Sequence, residues 1–78
     1  MTSDQKDKSV ILDILFASRP VPRTVQYLRD ELTLAGRRDR DVHTLLRDLE
    51  RSEYASKTED GLGVERWLIT PKGLEALA

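Results

Sequence analysis

The chain has 78 residues, no cysteine, a single histidine and a formal net charge of −1. This length is near the lower limit for a core that folds without disulfides or metals, so we expect one domain over residues 1–78. The absence of cysteine excludes a disulfide framework and a thiolate metal site, and His43 has no second histidine with which to share a metal. No apolar run approaches the roughly 20 residues that span a bilayer, so we expect a cytoplasmic protein with no membrane partner.

The charged residues are distributed unevenly. Nine of the 13 cations are arginine, and eight of these lie between Arg19 and Arg51, together with six acids. Three acids precede Ile14 and four follow Tyr54, so both ends are acidic. Arginine suits bidentate contacts with phosphate, guanine or carboxylates. The net charge, however, is lower than is usual for a nucleic-acid-binding domain.

The first segment predicts a helix. Thr2 and Gln5 have the spacing of a capping box, and apolar residues from Ile11 to Phe16 recur at helical spacing. The segment has more apolar residues than one core face requires, so we expect this helix to provide the surface of a homodimer. These six residues are Val10, Ile11, Leu12, Ile14, Leu15 and Phe16. The sequence leaves open whether residues 1–8 are ordered or disordered.

A second helix is predicted after a proline-containing turn. Pro20–Pro22 ends the first helix and is predicted to be extended, as a short edge strand. Thr24 is expected to cap the second helix, whose apolar face centres on Leu28, and Gly36 is expected to end it.

The third predicted helix, residues 39–52, has the strongest pattern, with Asp39 as its expected N-cap. An α-helix turns by about 100° per residue, which places four polar residues on one face and four apolar residues opposite them. The polar residues are Arg40, Thr44, Arg47 and Arg51, and the apolar residues are Val42, Leu45, Leu46 and Leu49. The helix can therefore bury one face while the arginines lie in solvent.

The rest of the chain predicts a hairpin and a short closing helix. Residues 54–57 and 64–69 have the composition of strands and flank a flexible turn with two glycines. Thr70 followed by Pro71 is typical of an N-cap and a first helical residue, so we expect a helix over residues 72–77. The predicted fold class is α+β, with a three-helix core, a two-stranded hairpin and a short C-terminal helix.

Two stretches resemble bacterial winged helix-turn-helix transcription regulators. Val42 to Glu50 is similar to the recognition helix of that superfamily, in which an apolar residue, an arginine and a Leu-Glu pair recur. Trp67 to Leu77 resembles the exit from the wing, where an aromatic strand leads into a threonine-capped helix. The resemblance implies a sequence-specific DNA-binding protein, a small transcription regulator whose third helix contacts the major groove. The small size also suits a phage or mobile-element regulator.

The residues predicted to bind DNA come from three parts of the chain. The third helix would contact base edges, the turn before it would bind phosphates, and the hairpin would contact the flanking backbone or minor groove. The acids beside the hairpin cations oppose that last contact. The predicted set is Arg37, Arg38, Arg40, Thr44, Arg47, Arg51, Lys57 and Arg66.

The alternative is a winged-helix module that binds a protein and no DNA. It is favoured by the net charge, by Glu59 and Asp60 at the hairpin tip, and by Glu53, where the regulators have a glycine. The arginine face would then contact an acidic protein surface. An enzyme is not expected, because the sequence offers no nucleophile–base pair, metal cluster or glycine-rich phosphate loop, and no cofactor is implied.

Overall fold

The computed structural model describes residues 2–77, which form four helices and a three-stranded antiparallel sheet. The helices are α1 (Ser3–Ser18), α2 (Val25–Leu34), α3 (Val42–Arg51) and α4 (Pro71–Leu77). The strands are β1 (Arg23–Thr24), β2 (Ala55–Glu59) and β3 (Glu65–Ile69), in the sheet order β1-β3-β2. The predicted α+β winged-helix fold class is confirmed.

Helix α1 begins at the predicted capping box. Thr2 Oγ1 accepts a hydrogen bond from Gln5 N at 3.1 Å, and Gln5 Oε1 accepts one from Thr2 N at 3.0 Å. Residues 3–8, whose order the sequence left open, form the first turns of this helix. Met1 lies outside the described residues. The start of α1 is therefore set by local hydrogen bonds that the sequence specifies.

Helix α2 is capped at both ends as predicted. Thr24 Oγ1 accepts a hydrogen bond from Tyr27 N at 3.1 Å. Beyond the last turn, Gly36 has a φ of 82°, and Arg37 N donates to Leu32 O at 2.9 Å. This is the hydrogen bond of a Schellman motif, which requires a left-handed residue at the position that Gly36 occupies.

The first strand lies outside the predicted segment. Residues 19–20 form a turn and residues 21–22 belong to no strand; the strand is the dipeptide that follows, with Arg23 opposite Trp67 and Thr24 opposite Arg66. The prediction of a strand at Pro20–Pro22 is therefore wrong. Proline has no N–H to donate to a ladder, so pairing begins only after the second proline. The sheet consequently has a third strand beyond the predicted hairpin.

Helix α3 begins at Val42 and not at residue 39. Its N-cap is Asp41, whose Oδ1 accepts a hydrogen bond from Thr44 N at 3.2 Å. Asp39 lies in the preceding loop with a φ of 57°. Both aspartates are acceptable caps, and burial of Val42 in the core selects the second. The predicted helix start is therefore wrong, and Arg40 lies outside the helix.

The core lies where α1, α2 and α3 meet the sheet. Trp67 is only 2% exposed and holds the hairpin against the helices. The buried apolar residues are Ile11, Leu12, Leu15, Leu28, Leu32, Val42, Leu45, Leu46, Leu49, Ala55 and Trp67. All four residues of the predicted apolar face of α3 are among them. Within residues 2–77, no helix combines the length and apolar character needed to cross a membrane.

Helix α4 begins close to Tyr54, in the segment that joins α3 to β2. Thr70 Oγ1 accepts a hydrogen bond from Gly73 N at 3.0 Å, which confirms the predicted N-cap. Thr70 N donates to Tyr54 O at 3.1 Å. A Cβ atom at Gly73 would overlap the Tyr54 carbonyl oxygen, so only glycine allows this approach.

Candidate nucleic-acid interface

The solvent face of α3 carries Arg47 and Arg51. Both are exposed, and Arg47 forms no ion pair with any residue from 2 to 77. Arg51 Nη1 lies 3.9 Å from Asp48 Oδ1, and its side chain is 82% exposed. Exposed pairs of this kind contribute only about 0–1 kcal/mol, so they leave Arg51 able to exchange partners. Together these side chains form a cationic face opposite the core.

Thr44 lies on the same face, at the first turn of α3. Its Oγ1 donates a hydrogen bond to Asp41 Oδ2 at 2.8 Å. This side-chain bond, together with the bond from Thr44 N, lowers the pKa of Asp41. The Thr44 hydroxyl therefore completes the helix cap, and its oxygen keeps the capacity to accept a hydrogen bond.

Arg37 and Arg40 differ from the other predicted residues because both are paired with a buried carboxylate on α1. Asp7 is fully buried, and its Oδ1 and Oδ2 accept from Arg37 Nε and Arg40 Nε, each at 2.5 Å. Arg40 Nη2 also donates to Asp4 Oδ1 at 3.1 Å. The interpretation of Arg40 as part of the exposed face of the third helix is therefore wrong. We call Asp7, Arg37 and Arg40 the buried-carboxylate cluster.

Arg38 lies between the two clustered arginines but is exposed. Among residues 2–77 it forms no ion pair. The sequence predicts that Arg37 and Arg38 bind phosphates together, but the structure gives the two side chains different surroundings. Arg38 faces solvent, while Arg37 contacts α1.

The two predicted cations of the hairpin are paired with hairpin acids. Lys57 Nζ lies 3.7 Å from Glu65 Oε1, and Arg66 Nη2 lies 3.6 Å from Asp60 Oδ2. Glu65 also lies 3.5 Å from His43 Nε2 of α3. The wing therefore presents much less free positive charge than its sequence indicates.

Asp60 shapes the wing turn as well as pairing with a cation. Its Oδ1 accepts hydrogen bonds from Leu62 N at 2.8 Å and Val64 N at 3.1 Å. These two bonds, with Val64 the larger contribution, lower the pKa of Asp60. Asp60, whose charge at the hairpin tip opposes phosphate binding in the sequence analysis, therefore also stabilises the turn.

Sequence reasoning did not single out Asp7. A signal was present, since Asp7, Ile11 and Leu15 are spaced four residues apart and share one face of α1. Ile11 and Leu15 are buried, so the third member of that row is expected to be buried too. A buried carboxylate requires charged or hydrogen-bonding partners, and two arginines of the loop before α3 supply them.

The comparisons with known proteins establish the fold. The chain matches no family model and no curated protein. It is similar to MepR, a transcription regulator of the Staphylococcus aureus multidrug efflux pump MepA, with 23% identity and a TM-score of 0.72 over 95% of this chain and 58% of that one. An MepR variant from a multidrug-resistant S. aureus clinical isolate has a TM-score of 0.77 at 23% identity, over 99% of this chain and 53% of that one.

A further similar structure contains DNA. It is a variant of S. aureus MepR bound to an oligodeoxyribonucleotide, with a TM-score of 0.73 and 22% identity over 91% of this chain and 51% of that one. The chain has the winged helix-turn-helix fold of these regulators. It spans just over half the length of each MepR chain.

Proposed function

We propose that the chain is a sequence-specific DNA-binding transcription regulator whose helix α3 enters the major groove. The observation that carries the proposal is Arg47, which is exposed and without an ion pair in the described chain, on a helix whose opposite face is anchored by fully buried Leu46. The oligonucleotide bound to a protein of the same fold supports DNA as the partner.

The exposed arginines would have distinct roles. The planar guanidinium of Arg47 suits a bidentate contact with guanine, and Thr44 can accept a hydrogen bond from a base edge. Arg38 before the helix and Arg51 at its end would contact phosphates. Lys57 and Arg66 would first have to leave their acidic partners, so we expect them to contribute least.

Binding of a fluorescent duplex to wild-type protein and to Arg47→Ala at several salt concentrations tests the proposal. The variant is expected to lose about 1–3 kcal/mol of binding free energy, while wild-type affinity falls steeply with salt through counterion release. Lys6→Ala is the matched control, because it removes one exposed positive charge from α1. Equal affinity of Arg47→Ala and Lys6→Ala would contradict a role of α3 in recognition.

A second candidate is a winged-helix module that binds a protein and no DNA. The pairing of both wing cations with acids favours it, since the wing then has little charge for a DNA backbone. In that case duplex DNA at low salt would leave the amide resonances of α3 unchanged. An acidic protein partner would shift them, and Arg47→Ala would weaken that interaction.

Helix α1 leaves few apolar residues exposed to form the proposed homodimer. Of the six apolar residues that suggested it, Ile11, Leu12 and Leu15 are buried in the core and Val10 and Ile14 pack against it. Phe16 is 46% exposed, and the Arg19 guanidinium carbon lies 4.5 Å from the centre of its ring. Sedimentation of wild type and Phe16→Ser tests the dimer, which should dissociate in the variant.

A further inference from the structure

A cleft lies between the C-terminal half of α2 and the loop that leads to α3. Its volume is about 250 Å³, and three of its lining residues are Arg29, Arg37 and Arg40. Among the described residues that line it, Asp39 is the single acid. A concave surface with three arginines and one carboxylate favours an anion over a neutral ligand.

The buried-carboxylate cluster fixes two of these arginines from behind. Asp7 accepts one Nε–H hydrogen bond from Arg37 and one from Arg40. Each guanidinium has five N–H donors. Each makes one further bond in the described chain, from Arg37 Nη2 to Ser3 O at 3.4 Å and from Arg40 Nη2 to Asp4 Oδ1 at 3.1 Å. Each arginine therefore uses two of its five N–H donors within the described chain, and three N–H donors are left for a ligand.

The two side chains also retain contact with water. Arg37 is 29% exposed and Arg40 is 31% exposed, whereas Asp7 is 0% exposed. The carboxylate is therefore inaccessible to a ligand, while parts of both arginine side chains are accessible and line the cleft. Since the pairing already restricts both arginines in the free protein, less side-chain freedom is lost when they bind a ligand.

We propose that this cleft binds a phosphate group and that Asp7 is the positioning residue of the site. Arg29, Arg37 and Arg40 contact the phosphate, and Asp7 holds the latter two in place. The phosphate belongs to a DNA backbone beside the start of α3 or to a free phosphorylated ligand. Phosphate binding itself does not depend on the proposed function, and only the assignment to DNA rests on it.

The effect of Asp7 on affinity distinguishes positioning from simple electrostatics. Removal of the carboxylate charge makes the surroundings of the cleft more positive, so electrostatics alone predicts tighter phosphate binding. If Asp7 positions the arginines, the same change frees both side chains and weakens binding. The two mechanisms therefore predict opposite signs for Asp7→Asn.

The experiment is a titration of the full chain with inorganic phosphate, monitored by NMR of the arginine Nε–H groups at constant ionic strength. We expect saturable shifts at Arg29, Arg37 and Arg40, and none when chloride replaces phosphate. Arg29→Gln, at an exposed position of α2, is expected to weaken binding about tenfold. Lys6→Gln, an equal loss of charge on α1, should leave the affinity unchanged. Absence of saturable shifts would overturn the site.

Two further variants test the positioning role. Asp7→Asn should bind phosphate at least several-fold more weakly than wild type, and tighter binding would overturn the role of Asp7. If Asp7→Asn does not fold, Arg37→Lys tests the positioning role instead. This substitution keeps the positive charge but removes the planar guanidinium that can bind Asp7 and phosphate at the same time. Wild-type phosphate affinity in Arg37→Lys would equally overturn the proposal.

A parallel titration with duplex DNA identifies the source of the phosphate. Shifts of the same Nε–H groups by the duplex, reduced by competing phosphate, would assign the site to the DNA backbone. Phosphate binding without any duplex binding would assign it to a free ligand and would contradict the proposed function alone. Duplex binding that depends on Arg47, with no saturable phosphate binding, would overturn the cleft and leave the proposed function standing.

Discussion

Two pairs of arginines lie ten to eleven residues apart in the sequence and have opposite environments in the structure. Arg37 and Arg40 donate to a carboxylate that is completely buried, while Arg47 and Arg51 lie exposed on α3. The four side chains are chemically identical. The difference comes from α1. This helix places Asp7 against the loop before α3, whereas it places no acid beside the solvent face of α3 that carries Arg47 and Arg51.

The ion pairs change how much free positive charge the predicted residues present to a partner. Of the eight, Arg38 and Arg47 are without an ion pair in residues 2–77, and Arg51 has one exposed contact. The remaining cations, Arg37, Arg40, Lys57 and Arg66, all contact carboxylates. A count of arginines along the chain therefore overstates the positive charge that DNA would meet.

The largest effect is expected from loss of the core beneath the exposed arginines. Leu46 is fully buried on α3, and Leu46→Ala should lower the free energy of unfolding by about 2–5 kcal/mol through lost contacts and a residual cavity. Denaturant unfolding followed by circular dichroism measures this loss. Arg47→Ala, one residue along the same helix, should stay within about 0.5 kcal/mol of wild type. Similar losses in the two variants would contradict the division of α3 into a core face and a solvent face.

The next largest effect separates the two pairs of arginines directly. Arg40→Ala leaves the buried Asp7 carboxylate with one guanidinium partner in place of two, which should cost about 1–3 kcal/mol of stability. The loss is below that of a fully buried pair because the Arg40 side chain is 31% exposed. The sequence predicts Arg40 to lie in solvent, opposite the apolar face of the third helix, where its loss would leave the fold intact. Equal stability of Arg40→Ala and Arg47→Ala would remove the distinction on which the comparison rests.

A smaller effect of opposite sign is expected where α3 ends. Glu53 has a φ of 65°, and Tyr54 N donates to Leu49 O at 2.9 Å, so a Schellman motif is formed without glycine. Glu53→Gly should stabilise the fold by about 0.5–1 kcal/mol, since glycine adopts the left-handed conformation without strain. Glu50→Gly, inside the helix, is the control and should destabilise by about 1 kcal/mol. If both substitutions stabilised the fold, the cause would be the loss of a negative charge and not the left-handed backbone conformation at residue 53.

The smallest effect concerns the titration of Asp41. Hydrogen bonds from Thr44 hold the pKa of Asp41 below its ordinary value of 3.8. Because the folded-state pKa is lowered, the stabilisation is present above pH 3.8 and is lost as the pH falls through the folded-state pKa. Thr44→Val removes the side-chain bond, so the Asp41 midpoint in a carboxyl ¹³C titration should rise.

Asp60 provides the control for that titration. Its pKa is lowered by bonds from Val64 and Leu62 in the wing, which Thr44→Val does not touch. The Asp60 midpoint should therefore be the same in both proteins. An unchanged Asp41 midpoint in Thr44→Val would contradict the assignment of its low pKa to Thr44.

Much of the fold followed from local patterns. The capping residues Thr2, Thr24 and Thr70 act on backbone groups three residues away, so the sequence determines them without knowledge of the rest of the molecule. The apolar face of α3 was equally predictable from helical periodicity. The start of α3 was not, because Asp39 and Asp41 are both suitable caps and long-range packing of Val42 decides between them.

The sequence by itself determined the element order, the N-caps of α1, α2 and α4, the core residues of α3 and the presence of a cationic helix face, because these depend on residues within one or two turns of each other. Tertiary structure alone decided which arginines stay exposed. The hydrogen bonds from Arg37 and Arg40 to Asp7 join residues 30 and 33 positions apart, and only the packing of α1 brings them together. A carboxylate removed from water must find partners, and in this fold the nearest ones are two of the arginines that the sequence had assigned to DNA.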